Sequence, residues 1–170
     1  MRDQPRLPLL LALVLRACGT AQGQPAAAEA TRATDRPGGQ DGGLIRTRSA
    51  VSFEDTLAQL EAAVEARPVR MIHRVPHAEA AARAGMELRP TVLFVFGNPR
   101  AGSPLMAAAP TLALDLPQRM LVYEDAGEVW VVHNDPRYLA ERHGLTGHGE
   151  VLDRIAGLLS AIAEEATRAP

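Results

Sequence analysis

One stretch of this chain leaves little freedom in how it can fold. Met120 to Glu124 and Val129 to His133 are short, apolar-rich runs that flank Asp125-Ala126-Gly127-Glu128. Two such runs around an acidic, glycine-containing turn read as an antiparallel hairpin. The segments before it alternate between strand and helix patterns. Leu44 to Val51 reads as a first strand, Val69 to Val75 as a second, and Thr91 to Phe96 as the most apolar, expected at the centre of the sheet. In the second, Val69, Met71, His73 and Val75 should share one face, with Arg70, Ile72 and Arg74 on the other.

Helices are predicted between these strands. Ser52 is placed to cap a helix over about 53–66, whose Phe53, Leu57, Leu60 and Val64 recur at helical spacing. Pro68 ends it. An alanine-rich helix over about 78–84 stops at Gly85, a natural left-handed cap. Gly97-Asn98-Pro99 turns the chain, and Ser103-Pro104 is expected to start another short helix. Asp135-Pro136 combines a capping side chain with a proline suited to a first helical position. Val151, Leu152, Ile155, Leu158, Leu159 and Ile162 mark an amphipathic terminal helix.

The region before Leu44 has another character. Leu7 to Leu15 is an apolar run broken only by Pro8, between Arg6 and Arg16. It has the length of a signal-peptide core and is too short to span a bilayer. Residues 1–21 are therefore expected to be an export signal cleaved after Ala21, giving a periplasmic or secreted protein. Leu15-Arg16-Ala17-Cys18 also reads as a lipoprotein signal, with Cys18 as the lipidation site and sole membrane anchor, although Arg16 departs from the usual small or apolar residue. Residues 22–43, poor in large apolar side chains, are expected to be a flexible linker. The single globular domain should then occupy residues 44–168.

Composition excludes some partners. All 18 basic residues are arginine, scattered along the chain, and the net charge is −2, so no basic surface points to nucleic acid. Cys18 is the only cysteine, and it precedes the domain, so thiolate chemistry is not expected in the fold.

Several runs, in order and spacing, resemble the domain of unknown function 302 family: Thr56-Leu57 with Leu60-Glu61, His77-Ala78 leading to Ala84-Gly85, Leu88-Arg89-Pro90-Thr91, and Phe96-Gly97-Asn98-Pro99 with Gly102 and Pro104-Leu105-Met106. Leu114-Asp115-Leu116-Pro117, Val122-Tyr123-Glu124-Asp125, Val129-Trp130 and Asp135-Pro136 with Tyr138-Leu139-Ala140 continue it. The resemblance covers roughly residues 44–145 plus the terminal helix. It implies a compact two-layer α+β domain, often a dimer, and imports no activity. The expected fold is thus a two-layer α+β sandwich, a mixed β-sheet of about five strands with helices packed on one face. Pro76 stands where relatives usually have Asp, Gln118 replaces an apolar residue, and His133 stands where Tyr is common.

Candidate site residues follow from local chemistry. His77, after a strand and at a helix start, is the candidate acid–base or ligand-binding group. Arg89, Asn98, Arg100 and Tyr123 are further ligand-binding candidates. His73 and His77 are four apart on a strand followed by proline, so their rings should diverge, and no metal or cofactor is expected. Gly97 to Ser103 is a near miss to a phosphate loop without its lysine; the helix start with Arg100 retains a weaker claim on a small anion. Asp115, Glu124 and Asp125 read as structural carboxylates, Asp135 as a helix cap.

Three functions remain open. The leading one is a non-enzymatic envelope domain that binds a small ligand or a partner protein. The second is an enzyme using His77 as acid–base, which requires His77 to share one cleft with Arg89, Asn98 or Tyr123. The third is a homodimeric structural or interaction domain.

Overall fold

The computed structural model describes residues 42–169. The expected export signal, Cys18 and all of the expected linker but Gly42 and Gly43 lie outside the described residues. The elements run β1 (Leu44–Arg48), α1 (Phe53–Glu65), β2 (Arg70–Pro76), α2 (His77–Arg83), β3 (Thr91–Gly97), α3 (Pro99–Ala108), a 3-10 turn (Pro110–Leu114), β4 (Gln118–Asp125), β5 (Glu128–Asn134), α4 (Pro136–Arg142) and α5 (Gly149–Thr167).

The five strands form one sheet in the order β1-β5-β4-β3-β2. Every pairing is antiparallel, so the mixed sheet expected from the sequence narrows to an antiparallel one. A parallel neighbour needs a crossover between adjacent strands. Here α1 links β1 and β2, which are the two opposite edges, and the strands from β2 to β5 follow one another across the sheet. The middle strand is β4, with β3 beside it.

The hairpin forms as read. Ala126 and Gly127 both take positive φ, 51° and 81°, the signature of a two-residue turn that matches strand twist. Register then sets which side chains share a face. Val92, Phe94 and Phe96 of β3 lie opposite Val122, Met120 and Gln118 of β4, and Val131 lies opposite Val122. This row is buried and packs with Leu57, Leu60 and Val64 of α1 and Ile155, Leu159 and Ile162 of α5 in one apolar core. The other sheet face carries Leu93, Val95, Leu121, Tyr123 and Trp130, all half-buried.

The regular alternation expected in β2 fails. A bulge between Met71 and His73 shifts the register, so Met71 pairs with Phe96 and Arg74 with Phe94. A bulge inserts one extra residue and flips the side chains beyond it. Arg74 consequently faces the helix layer, where it meets Glu61 of α1 at 3.4 Å and lies over the Phe94 ring at 5.9 Å.

Helix ends agree with their capping residues. Ser52 accepts a bond from the Asp55 N–H at 3.1 Å, and Asp135 from the Arg137 N–H at 2.8 Å. Gly85 takes φ 74° after α2, where Met86 N–H reaches back to Ala81. Ser103 does not start a helix, as it was expected to. Asn98 caps α3 instead, which places Ser103 and Pro104 inside it. Asn98 has the better position because Pro99 supplies a pre-set φ at the first helical residue.

His133 is an anomaly within the core. It pairs with Met120 on the buried face and is only 3% exposed. Its Nδ1–H donates to Asn134 O at 2.9 Å, which leaves Nε2 buried without a partner. Burial holds the ring's pKa below the ordinary imidazole value, with the Asn134 carbonyl and Asp135 pulling weakly the other way. The unfolded chain therefore binds the proton first as pH falls through about 6.5. Stability should be fully present above that pH and decline below it, down to the folded-state pKa. We expect the urea midpoint to drop between pH 7.5 and 5.5, and the drop to shrink in a His133→Phe variant. An equal drop in both proteins would refute the assignment.

Candidate functional site

The end of β3 builds a concave site. Gly97 closes the strand against Pro117, and a Cβ there would lie 3.2 Å from the Pro117 Cβ, so glycine permits the close approach. Asn98 then fixes the corner with both ends of its amide. Its Nδ2–H donates to Pro68 O at 2.9 Å, and its Oδ1 accepts from the Arg100 N–H at 2.9 Å. The chain is thereby tied to the loop before β2 while α3 is launched over the sheet edge.

Between α3, the Leu116-Pro117-Gln118 corner, the bulged start of β2 and α5 lies a cavity of about 190 Å³. Its wall is dominated by apolar side chains, among them Phe96, Met106, Leu116, Ile155 and Leu158, with Ile72 at the rim, 53% exposed. No ionisable side chain lines it. Gln118 does, and it is 9% exposed. Phe96 and Gln118 are register partners, which is how a polar group comes to stand beside the core. Among the described residues the Gln118 side chain has no hydrogen-bond partner.

A second concavity, shallower and wider at about 500 Å³, lies between α2 and the segment leading to β3. Ala78, Ala82, Met86, Glu87, Leu88 and Arg89 line it.

The candidates read from the sequence fall into two groups. His77 follows Pro76, which pairs with Val92, and Tyr123 pairs with Thr91. Arg89 stands just before Thr91, its guanidinium ion-paired with Asp125. Asn98 and Arg100 lie beyond Gly97, at the other end of the seven-residue β3. At about 3.3 Å per residue the two groups stand roughly 20 Å apart. His77 therefore shares no cleft with Asn98. Its ring is half-buried and hydrogen-bonds to no other described residue. Asn98 is occupied as a structural cap, and Arg100 is exposed outside the cavity wall.

The anion reading of the α3 start meets a plain obstacle. Pro99 has no N–H, Arg100 N–H bonds the Asn98 side chain, and Ala101 and Gly102 N–H both bond Asn98 O. Every donor of that first turn is used. His73 is exposed on β2 while His77 opens α2. Among the described residues, no three His, Cys, Asp or Glu side chains stand where they could hold a metal together.

Two features escaped the sequence reading. Gln118 registered only as a departure from an apolar pattern. Asp115, read only as a structural carboxylate, accepts from His143 Nε2 at 2.7 Å and Arg142 at 3.2 Å, while Thr111 Oγ1 lies 3.0 Å from His143 Nδ1. The partners are 28 residues apart, and no local spacing announces them.

A two-layer α+β domain, one antiparallel sheet under helices with an apolar pocket at the β3–α3 corner, defines the class. The chain belongs to the family described as Domain of unknown function DUF302, whose model matches residues 45–162. It is similar in fold to an uncharacterized conserved DUF302 protein from Bacillus stearothermophilus, with a TM-score of 0.67 and 16% identity, over 74% of this chain and 98% of that one. It is also 42% identical over 106 residues to a protein of Brucella suis biovar 1 named fluoride-specific ion channel FluC 1, covering 62% of this chain and 42% of that protein. A Brucella melitensis protein named fluoride-specific ion channel FluC 2 matches equally, with 39% of its length covered. The chain thus spans about two fifths of the length of these relatives.

Proposed function

We propose that this chain is a non-enzymatic domain of the cell envelope that binds a small ligand in the pocket at the β3–α3 corner. The observation that carries the reading is the cavity of about 190 Å³ walled by Gly97, Asn98, Gly102, Leu116 and Pro117. These are residues whose shape and turn chemistry hold the cavity open, and a nucleophile–base pair at a cleft is not among them. The export signal read at residues 1–21 supports the envelope, with Cys18 as the anchor if that cysteine is lipidated.

Thermal-shift screening of the full chain against metabolite and lipid libraries tests this. At least one compound should raise the melting temperature saturably. The effect should vanish in Gly102→Leu, because a Cβ at Gly102 points between Leu116 and Met106 at 3.8 and 3.9 Å and a longer side chain would fill the cavity. Silence across the library would overturn the reading.

The relatives named as channels favour a second, compatible reading, in which this domain acts as an accessory to a membrane protein. No described helix is long and apolar enough to cross a membrane. In that reading the shared 106 residues are a module carried beside a pore. The half-buried apolar row Leu93, Val95, Leu121 and Trp130 on the other sheet face favours self-association as its assembly mode. Mass measurement in dilute solution should then return a dimer, and a monomer would remove this mode. The acid–base reading of His77 gains nothing from Asn98, which lies at the opposite end of β3.

A further inference from the structure

The small-ligand reading can be sharpened from the one buried polar side chain lining the pocket that has no hydrogen-bond partner among the described residues. We propose that the pocket takes a small uncharged amphiphile: an apolar ring or short chain ending in an amide or a similar neutral hydrogen-bonding head, held by Gln118. The inference rests on the proposed binding role and adds the chemical class of the ligand.

Size comes first. An apolar cavity of about 150 Å³ accommodates benzene. The cavity here, about 190 Å³, therefore has room for a six-membered ring or an equivalent chain with two or three further atoms. It is below the size of pockets that take drug-like or nucleotide ligands.

Polarity comes next. The wall has no ionisable side chain, so a charged head inside it would lose hydration without a counter-charge. Of the polar side chains there, Asn98 has both amide ends engaged, and Ser103 is exposed to bulk solvent. Gln118 remains. It is 9% exposed, lines the cavity and bonds no other described residue. A primary amide offers an N–H donor and a carbonyl acceptor side by side. A ligand that fills the cavity shuts water away from that amide, which is costly if nothing replaces the water, and a head carrying the complementary acceptor and donor avoids that cost. A purely apolar ligand would not, which is why the site should discriminate between heads on the same ring.

Toluene, benzamide and benzoate carry one ring with an apolar, a neutral polar and a charged substituent. Their affinities for the full chain can be measured by NMR titration. Benzamide should bind about tenfold tighter than toluene, and benzoate more weakly than benzamide. In Gln118→Leu, benzamide should lose about tenfold while toluene holds or gains. Gln118→Met serves as the second variant if the first melts without a cooperative transition. Equal binding of toluene and benzamide, tightest binding of benzoate, or equal losses for both rings in the variants would each overturn the assignment. If none of the three binds but a library compound does so in a Gly102→Leu-sensitive way, this ligand class is wrong and the binding role stands. If no compound behaves that way, the binding role itself falls.

Discussion

Truncating Phe94 to alanine is expected to cost the fold about 3–5 kcal/mol, the upper range for losing a buried aromatic side chain. Phe94 sits mid-strand in β3, fully buried, with Met120 and Arg74 as register partners. It belongs to the core that joins the sheet to α1 and α5, so the space it leaves is bounded on several sides by regular structure that cannot collapse freely. Domains of this size are stable by roughly 5–15 kcal/mol, so the loss could consume half of the total. A Phe94→Leu variant retains most of the apolar volume and should lose about 1.5 kcal/mol or less. The Arg74 guanidinium, 5.9 Å from the ring centroid, contributes separately. Its side chain is 43% exposed, so Arg74→Ala should cost under about 1 kcal/mol. Urea denaturation of the three variants tests the order. A Phe94→Ala cost near that of Arg74→Ala would mean that the core does not close over β3 as described.

That core was legible because it obeys local periodicities. The alternation Val92-Phe94-Phe96 and the spacing of Leu57, Leu60 and Val64 each follow from one element's own geometry. The hairpin was legible for the same reason, since two residues decide the turn. The failures share another cause. Nothing within the β2 run signals that one residue will bulge, and that single insertion moved Arg74 to the helix side. Asn98 reads as part of a turn in the sequence, and what fixes it there as the cap of α3 is its reach to Pro68, 30 residues away. The site candidates suffered most. His77, Arg89 and Tyr123 were grouped with Asn98 and Arg100 by residue type, yet β3 separates the two sets by its full length. Gln118 could be found only by knowing that its strand partner is Phe96 and that α3 leaves an opening above it.

The second large effect is expected at Asp115, where removal of one carboxylate should strand its buried partner. Asp115 follows the 3-10 turn and is 9% exposed. A carboxylate only accepts, so His143 Nε2 carries the proton of the 2.7 Å bond. In the neutral ring Nδ1 is then bare, and the Thr111 hydroxyl donates to it at 3.0 Å. The His143 side chain is 5% exposed, with little access to replacement water, whereas the Arg142 side chain is 53% exposed and can turn to solvent. Asp115→Ala should therefore cost about 2–4 kcal/mol, nearly all of it through His143, while Arg142→Ala costs under about 1 kcal/mol. Asp115→Asn keeps one acceptor and should recover more than half of the loss. The tie also anchors the Leu116-Pro117 corner that walls the pocket, so loss of the carboxylate should weaken ligand binding along with stability. A double-mutant cycle with His143→Ala decides the matter. Costs that add without coupling would show that the two side chains stabilise the protein independently, and the corner would then need another anchor.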